Sequence, residues 1–501
     1  MGSDGQSAPL IVGVSGLRGI VGESLTPEVA VRFAGAFGGW LRDKRGFGSV
    51  VLGHDGRRGG EVIYSAAKSA LMWCGVDVVE AGRCTTPGLA TAVDHADADG
   101  GLMVTASHNP QPWNGLKLML NEPYQEEGGA CAPPKAIADE IIARFRAGHA
   151  EWLEWDGLGT STIADDVNES HARLVWYATD PRIDECEPEA RPTFHALLDS
   201  VNCGGGESAV AMLRMLGHRA TQLFGDDSGL FPHTPEPTAE NLSGAGGLCD
   251  AVPGLKADVG FAQDPDADRL AIVDENGRYI GEEYTLVIAA EALLNARSAG
   301  ATERRGDEGK PVIVVNLSTS RMIEDVAAKW GAEVVRTPVG EANVVERMKA
   351  LIAEGRDVVL GGEGTGGVIW PEVCFVRDSL SAMALTLSLM ARTGKTVSEI
   401  VALNDSYSEG GKGYSIVKRK TEIASKADAK PACDKVEKAY SSERVDTQDG
   451  VRVDFGGARA GSWVHVRASN TEPIMRLICE APTEAMADEI LGEVEGVIAG
   501  S

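Results

Sequence analysis

The chain has 501 residues and 43% hydrophobic content, enough for several domains with full cores. Lys and Arg total 47 against 74 Asp and Glu, a formal charge of −27, and with no basic block anywhere this excludes nucleic acid and anionic membrane surfaces as general partners. The same field repels a phosphorylated ligand at long range, so any phosphate site must be assembled locally from arginines, lysines and backbone amides.

The amino terminus, MGSDGQSAP, is polar, lacks a charged-then-apolar signal pattern and, with Gln6, misses the myristoylation pattern. The longest apolar stretch, residues 380–391, is too short to span a bilayer. Nine cysteines without a CxxC pair suit reduced thiols better than a disulfide framework or a zinc site. These features predict a cytoplasmic protein, and the 61 glycines predict many tight loops.

In chain order, the apolar run SVVLGHDGR at 49–57 leads into a helix-like EVIYSAAKSALMWCG, and a second run, GGLMVTASHNP, then carries Ser107. Neighbours in an extended chain point to opposite faces, so His108 is expected to be badly placed to deprotonate Ser107 as a triad histidine would. Ser107 is then either a helix amino-terminal cap or a nucleophile activated by something else. Lys117 follows the turn residues Asn114 and Gly115. Residues 150–191 are mixed, with a helix-like DVNESHARLVWYATD.

The strand, helix, strand, loop order recurs twice. TFHALLDSVNCGGG and the helix ESAVAMLRMLG precede ADVGFAQDPDADR at 257–269, and KPVIVVNLSTS with the helix RMIEDVAAKWG precedes DVVLGGEGTGG at 357–367. This spacing indicates parallel α/β units, whose ligands sit beyond the strand ends. From about residue 409 the pattern changes. The charged KRKTEIASKADAKPACDKVEKAY reads as an exposed helix region, followed by short strands GVRVDF and SWVHVRAS and a closing helix, an α+β order.

Three loops carry candidate chemistry beside Ser107. DPDADR places Asp264, Asp266 and Asp268 at alternate positions, and their repulsion calls for a hard cation such as Mg²⁺ or Ca²⁺, unless the loop is a solvated acidic turn. An EF-hand fits poorly, because Arg269 stands where that loop needs glycine and the following RLAIVDENGRYI reads as a strand and an Asn-Gly hairpin. GGEGTGG, with Glu363 and Thr365, brings backbone close to a polyol or is a plain turn. RASNTEPIMR, with Arg467, Ser469, Asn470, Thr471 and Arg476, has the donors to hold a phosphate without a metal, or is an ordinary Ser/Asn/Thr turn.

Taken together, GVSGLRGIVGESLTPE, TASHNP, the aspartate loop, GGEGTGG and RASNTEP resemble, in order and over nearly the whole length, the α-D-phosphohexomutases. The resemblance implies an α/β fold of three similar domains with mixed, mainly parallel sheets (9–163, 164–300 and 301–408), plus a smaller α+β domain (409–501), around a central cleft. It implies that Ser107 is the phosphorylated serine and that Asp264, Asp266 and Asp268 bind Mg²⁺ together with it. Arg269 would neutralise the transferring phosphoryl group, and Lys117 and Arg18 would assist proton transfer and charge stabilisation. Glu363 and Thr365 would read sugar hydroxyls, while Arg467, Ser469, Asn470, Thr471 and Arg476 would hold the phosphate that is not reacting.

The implied partner is a small hexose phosphate, with a hexose bisphosphate as activator and a monomer or homodimer as the assembly. The chain departs from the family at Gly367, where many members have a histidine, at Thr365 in place of serine, and at His54 in place of arginine. GGEGTGGVIWPE and PHTPEPTAENL look most like archaeal-type phosphoglucosamine mutases. Expected is interconversion of glucosamine 6-phosphate and glucosamine 1-phosphate. The alternatives are a phosphomannomutase or phosphoglucomutase with the same machinery, a Mg²⁺-dependent sugar phosphatase, or a non-catalytic sugar-phosphate sensor.

Overall fold

The computed structural model describes residues 9–121, 129–148, 150–179, 192–298, 309–408, 410–468 and 474–500. Its first sheet runs Ile11–Gly13, Gly16–Ile20, Trp113–Leu120, Gly100–Val104, Gly48–His54, Val76–Arg83 and Ser161–Ile163 in space. The first four of these pair antiparallel and the last four parallel. The central parallel strands Gly100–Val104 and Gly48–His54 are largely buried because both faces are covered. Val50 and Leu52 point into a core with Phe33 and Leu71, whereas Val51 points to the other side with Leu89 and Val93.

Two four-stranded mixed sheets follow. One has the order Leu270–Val273, Val259–Gln263, His195–Asp199, Arg219–Leu223, and the other Glu333–Thr337, Val312–Asn316, Val358–Glu363, Gly367–Ile369. Each has parallel inner pairings and one antiparallel edge strand. The two sheets share one hydrophobic core through the helices Glu282–Ser298 and Ser379–Thr393. Strand Leu270–Val273 directly follows the aspartate loop, which rules out the EF-hand helix.

The last sheet is antiparallel, with the order Ser415–Glu422, Ile474–Ala481, Trp463–Ala468, Val451–Asp454, Arg444–Asp446, covered by helices Ala429–Ala439 and Glu484–Ala499. Here the expectation of an exposed helix region is corrected: its first residues, Lys418–Glu422, belong to the edge strand Ser415–Glu422. Lys418, Lys420 and Glu422 are exposed while the residues between them are partly covered, so the run obeys a period of two, and its charged outer row is what an edge strand uses against further pairing. Only Ala429–Ala439 is helical in the manner expected. Among the described residues Cys74, Cys84, Cys203, Cys249, Cys374, Cys433 and Cys479 are free thiols, and no helix is long and apolar enough to cross a membrane.

Candidate active site

Three loops at the ends of parallel strands meet beside the second and third sheets. The Ser107 loop leaves strand Gly100–Val104, the aspartate loop leaves Val259–Gln263, and Glu363 ends Val358–Glu363. Ser107 is buried and takes φ +48°, a left-handed conformation that turns the chain out of the strand. A fixed internal scaffold holds it there. The Arg57 guanidinium, paired at 2.9 Å with Asp55, donates to the carbonyls of Ser107 and, at 2.7 Å, of Trp113. Thr105 donates to Asp55 at 2.7 Å and accepts the Ser107 amide at 2.9 Å.

Because of this kink His108 is not turned away. Its Nδ1 lies 3.4 Å from Ser107 Oγ, which corrects the expectation built on an extended chain. The serine hydroxyl nevertheless donates to Asp264 Oδ2 at 2.7 Å. Burial, then Arg269 and Arg18, push the His108 imidazole down to about 3, so it is neutral.

Asp264, Asp266 and Asp268 are all buried, and each offers an oxygen within 4.8 Å of the others. Ala267 at φ +56° folds the loop, and its amide closes a turn on the Asp264 carbonyl at 2.9 Å. Asp264 has both oxygens engaged, Oδ2 by Ser107 and Oδ1 by the Arg269 amide, whereas the other two aspartates have one each: Asp266 Oδ2 by Thr86 Oγ1 at 2.6 Å, and Asp268 Oδ2 by Lys117 Nζ at 2.8 Å and Arg377 Nη2 at 2.6 Å. The second oxygens of Asp266 and Asp268 are buried without a hydrogen-bond partner. Buried carboxylate oxygens left bare in a cluster fit a hard divalent cation, with Ser107 Oγ as a further oxygen donor at its side. Burial and the two neighbouring carboxylates push Asp264 well above the usual range. Burial would raise Asp268 as well, but Arg377, Lys117 and Arg269 hold it below that range. Burial disfavours the Lys117 ammonium, yet Asp268, Glu341 and Asp266 outweigh it and raise its pKa.

Arg269 donates its amide to Asp264 Oδ1 at 3.1 Å, and its guanidinium stands 3.9 Å from Asp268. Arg18 reaches in from strand Gly16–Ile20 and donates to Asn109 Oδ1 at 3.0 Å, its pKa lowered by burial. Glu363 accepts from Asn316 Nδ2 at 2.8 Å, the Gly340 amide at 3.2 Å and Arg377 Nη1 at 3.0 Å. Thr365, half-buried, lies two residues on. Gly366 has φ +80° and a Cβ there would meet the Leu270 carbonyl oxygen at 2.4 Å, so only glycine lets this loop bond to the strand after the aspartates.

The fourth domain brings Arg467 and Arg476 directly opposite each other on neighbouring strands. Arg467 pairs with Asp449 at 3.0 Å, and Asp449 accepts the Val339 amide, one residue from the Gly340 amide that Glu363 accepts. Ser469, Asn470 and Thr471 lie outside the described residues. Sequence reasoning missed Arg377, Arg57 and Thr86. Arg57 carried a signal in its spacing from Asp55, and Arg377 stands beside Asp378, the cap of a long apolar helix; Thr86 lies in a plain helix start far from the aspartates in sequence.

Family models for the phosphoglucomutase/phosphomannomutase domains match in order: alpha/beta/alpha domain I at 9–150, domain II at 178–277, domain III at 282–407 and the C-terminal domain at 417–497. A phosphoglucomutase/phosphomannomutase of Thermococcus kodakarensis is 35% identical over 96% of both chains, and a probable phosphoglucosamine mutase of Pyrococcus horikoshii is 32% identical over 97% of both. Among solved structures, a putative phosphomannomutase from Thermus thermophilus superposes with a TM-score of 0.74 at 25% identity, covering 99% of this chain and 100% of that one. A Burkholderia thailandensis family protein, at a TM-score of 0.78 and 24% identity over 98% of this chain and 97% of that one, shares the fold. With all four domain models matched in sequence and the fold shared from end to end, this chain belongs to the phosphoglucomutase/phosphomannomutase family of the α-D-phosphohexomutase superfamily, in its archaeal-type branch.

Proposed function

We propose that this phosphohexomutase, an isomerase, moves a phosphoryl group between C6 and C1 of a hexose phosphate through phosphorylated Ser107 and a bisphosphate intermediate, with glucosamine 6-phosphate and glucosamine 1-phosphate as its preferred pair. The observation that carries the reading is Ser107 Oγ at 2.7 Å from Asp264 in a buried carboxylate cluster, with Lys117, Arg269 and Arg377 around it. That arrangement suits a phosphoryl carrier better than an acyl-transfer serine. The serine hydroxyl donates to Asp264 rather than to the neighbouring His108, and cations stand ready for a dianion.

In the forward step the bond from phosphorus to Ser107 Oγ breaks and a bond from phosphorus to the free sugar hydroxyl forms. The hydroxyl proton leaves and Ser107 returns to its alcohol. After the bisphosphate turns end for end, Ser107 Oγ attacks the other phosphoryl group and releases the product. Mg²⁺, held by Asp264, Asp266 and Asp268, supplies charge neutralisation for the transferring group when bound. Arg269 and Lys117 add positive charge, Arg18 orients the serine loop through Asn109, and positioning accounts for much of the acceleration. Glu363 and Thr365 read the sugar hydroxyls or amine, while Arg467, Arg476, Ser469, Asn470 and Thr471 hold the phosphate that is not reacting. A hexose bisphosphate primes any unphosphorylated Ser107.

Turnover of glucosamine, mannose and glucose 6-phosphates at equal bisphosphate activator tests the substrate. The expected order puts glucosamine first, with roughly a tenfold margin that Glu363→Gln narrows, since a charged donor bonds the carboxylate more strongly than a hydroxyl. Equal or better use of mannose 6-phosphate moves the assignment to a phosphomannomutase or phosphoglucomutase, the activities named for the 35% identical relative. Intact-mass analysis should find phosphate on Ser107, lost in Ser107→Ala along with most of the activity.

A further inference from the structure

We infer that Arg377 is a positioning residue that locks the sugar-reading and metal-holding carboxylates into one unit, and that position 367 is glycine to let its side chain pass. The inference rests on the proposed mutase reading for what the unit does, and on geometry for its existence.

The Arg377 guanidinium is buried and touches carboxylates from three separate segments: Asp268 at 2.6 Å, Glu363 at 3.0 Å and Glu341 at 3.4 Å. Its backbone amide also donates to Glu341 at 3.0 Å, so the residue is fixed at both ends. Lys117 shares Asp268, but Arg377 is the one cation in contact with Glu363 among the described residues. A planar fork with fixed donors can hold two carboxylates at a set separation and angle, which a lysine ammonium cannot do. By occupying Asp268 Oδ2, Arg377 and Lys117 leave Oδ1 as the oxygen without a hydrogen-bond partner. One guanidinium thereby holds the carboxylates of both Asp268 and Glu363.

The path of the side chain explains Gly367. A Cβ at 367 would lie 2.3 Å from Arg377 Cδ and 2.9 Å from its Cγ, but 3.5 Å from its Cβ. Any side chain there must push Arg377 off its partners, whereas an alanine at 377 leaves room. Gly367 therefore has a steric reason to be glycine that concerns Arg377 alone.

The test is a cycle of Gly367→Ala, Arg377→Ala and the double variant, with Arg377→Lys alongside. It reads kcat and KM for glucosamine 6-phosphate, calorimetric Mg²⁺ affinity, and thermal unfolding. Arg377→Ala should lower kcat/KM by tenfold or more and weaken Mg²⁺ binding, and Arg377→Lys should recover only part of each. Gly367→Ala should cost about tenfold in the wild-type background and less than twofold in Arg377→Ala, since the clash is gone. An equal cost of Gly367→Ala in both backgrounds, or an Arg377→Ala enzyme within threefold of wild type in kcat/KM and Mg²⁺ affinity, overturns the inference. If Arg377→Ala does not fold, Gly367→Ala must reproduce the kcat/KM and Mg²⁺ losses of Arg377→Lys, and a Gly367→Ala protein indistinguishable from wild type refutes it. A wild type without mutase turnover sinks the functional reading instead, and the Mg²⁺ affinities across the same variants still decide the role of Arg377.

Discussion

A carboxylate cluster kept out of water is a liability until something neutralises it, and here the neutralising partners differ from one aspartate to the next. Asp268 has two cations, Asp264 has the serine hydroxyl, and Asp266 has only the Thr86 hydroxyl within 3 Å, with a bare second oxygen. Asp266→Asn therefore removes repulsion from the metal-free protein while removing a ligand from the loaded one. We expect the metal-free variant to melt no lower than wild type, and the Mg²⁺-induced rise in melting temperature to shrink sharply. That rise is worth about 2.7 kcal/mol at a hundredfold excess over Kd. Calorimetric scans with and without Mg²⁺ check it, and activity that survives EDTA unchanged would refute the metal assignment.

At the scale of elements, the helix Val167–Thr179 is stapled to the helix Ser379–Thr393 by a buried pair, His171 Nε2 to Asp378 Oδ2 at 3.1 Å. Asp378 also caps the second helix by accepting the amides of Leu380 and Ser381. Burial would raise this carboxyl, but His171, Ser381 and the Leu380 amide outweigh it and hold it below its ordinary value. A depressed carboxylate contributes stability that is present above its unfolded value, near pH 4, and is lost as pH falls through the lower folded value. The stability gap between wild type and Asp378→Asn should thus close as pH falls below about 4. Asp378→Ala, which loses pair and cap together, should cost roughly 3 kcal/mol or more. Denaturant melts across pH read both, and a gap that widens on acidification would contradict the assignment.

Across the whole molecule, the fourth domain meets the third at the turn after strand Val312–Asn316. Arg452, stacked 4.2 Å over Trp463, donates to the Leu317 carbonyl, His465 bonds Ser318 at 2.8 Å, and Glu480 accepts the Arg321 amide at 2.9 Å. Asn316, at the end of that strand, also holds Glu363, so the seat of the fourth domain and the Glu363 loop share a support. Arg452→Met should loosen the seat. Hydrogen exchange across residues 317–321 should quicken roughly tenfold or more, the loss of one charged hydrogen bond, with residues 100–107 unchanged. Unchanged exchange at Arg321 would show that the seat does not depend on Arg452.

Much of this was legible in the chain itself. Apolar runs bounded by glycine, alternating with helix-like segments, set out the repeated α/β units, because burial on both faces of a parallel strand demands unbroken hydrophobes. Three aspartates at alternate positions pointed to a cation site, since their mutual repulsion favours a cation among them, and the structure brings all three together in burial. Where local and tertiary demands compete, local reading failed. Ser415–Glu422 looks like a solvated helix because its charges are dense, and only its pairing with Ile474–Ala481 makes it a strand. His108 turned toward Ser107 because Thr105 and, from fifty residues away, Arg57 hold the serine in a left-handed kink. Arg377 had no local signal of its own. Its meaning comes from carboxylates 14, 36 and 109 residues away, brought to one point by three strands and a helix start. Composition and periodicity determine which segments are buried and which loops carry charge; which charges meet is decided only when the chain closes on itself.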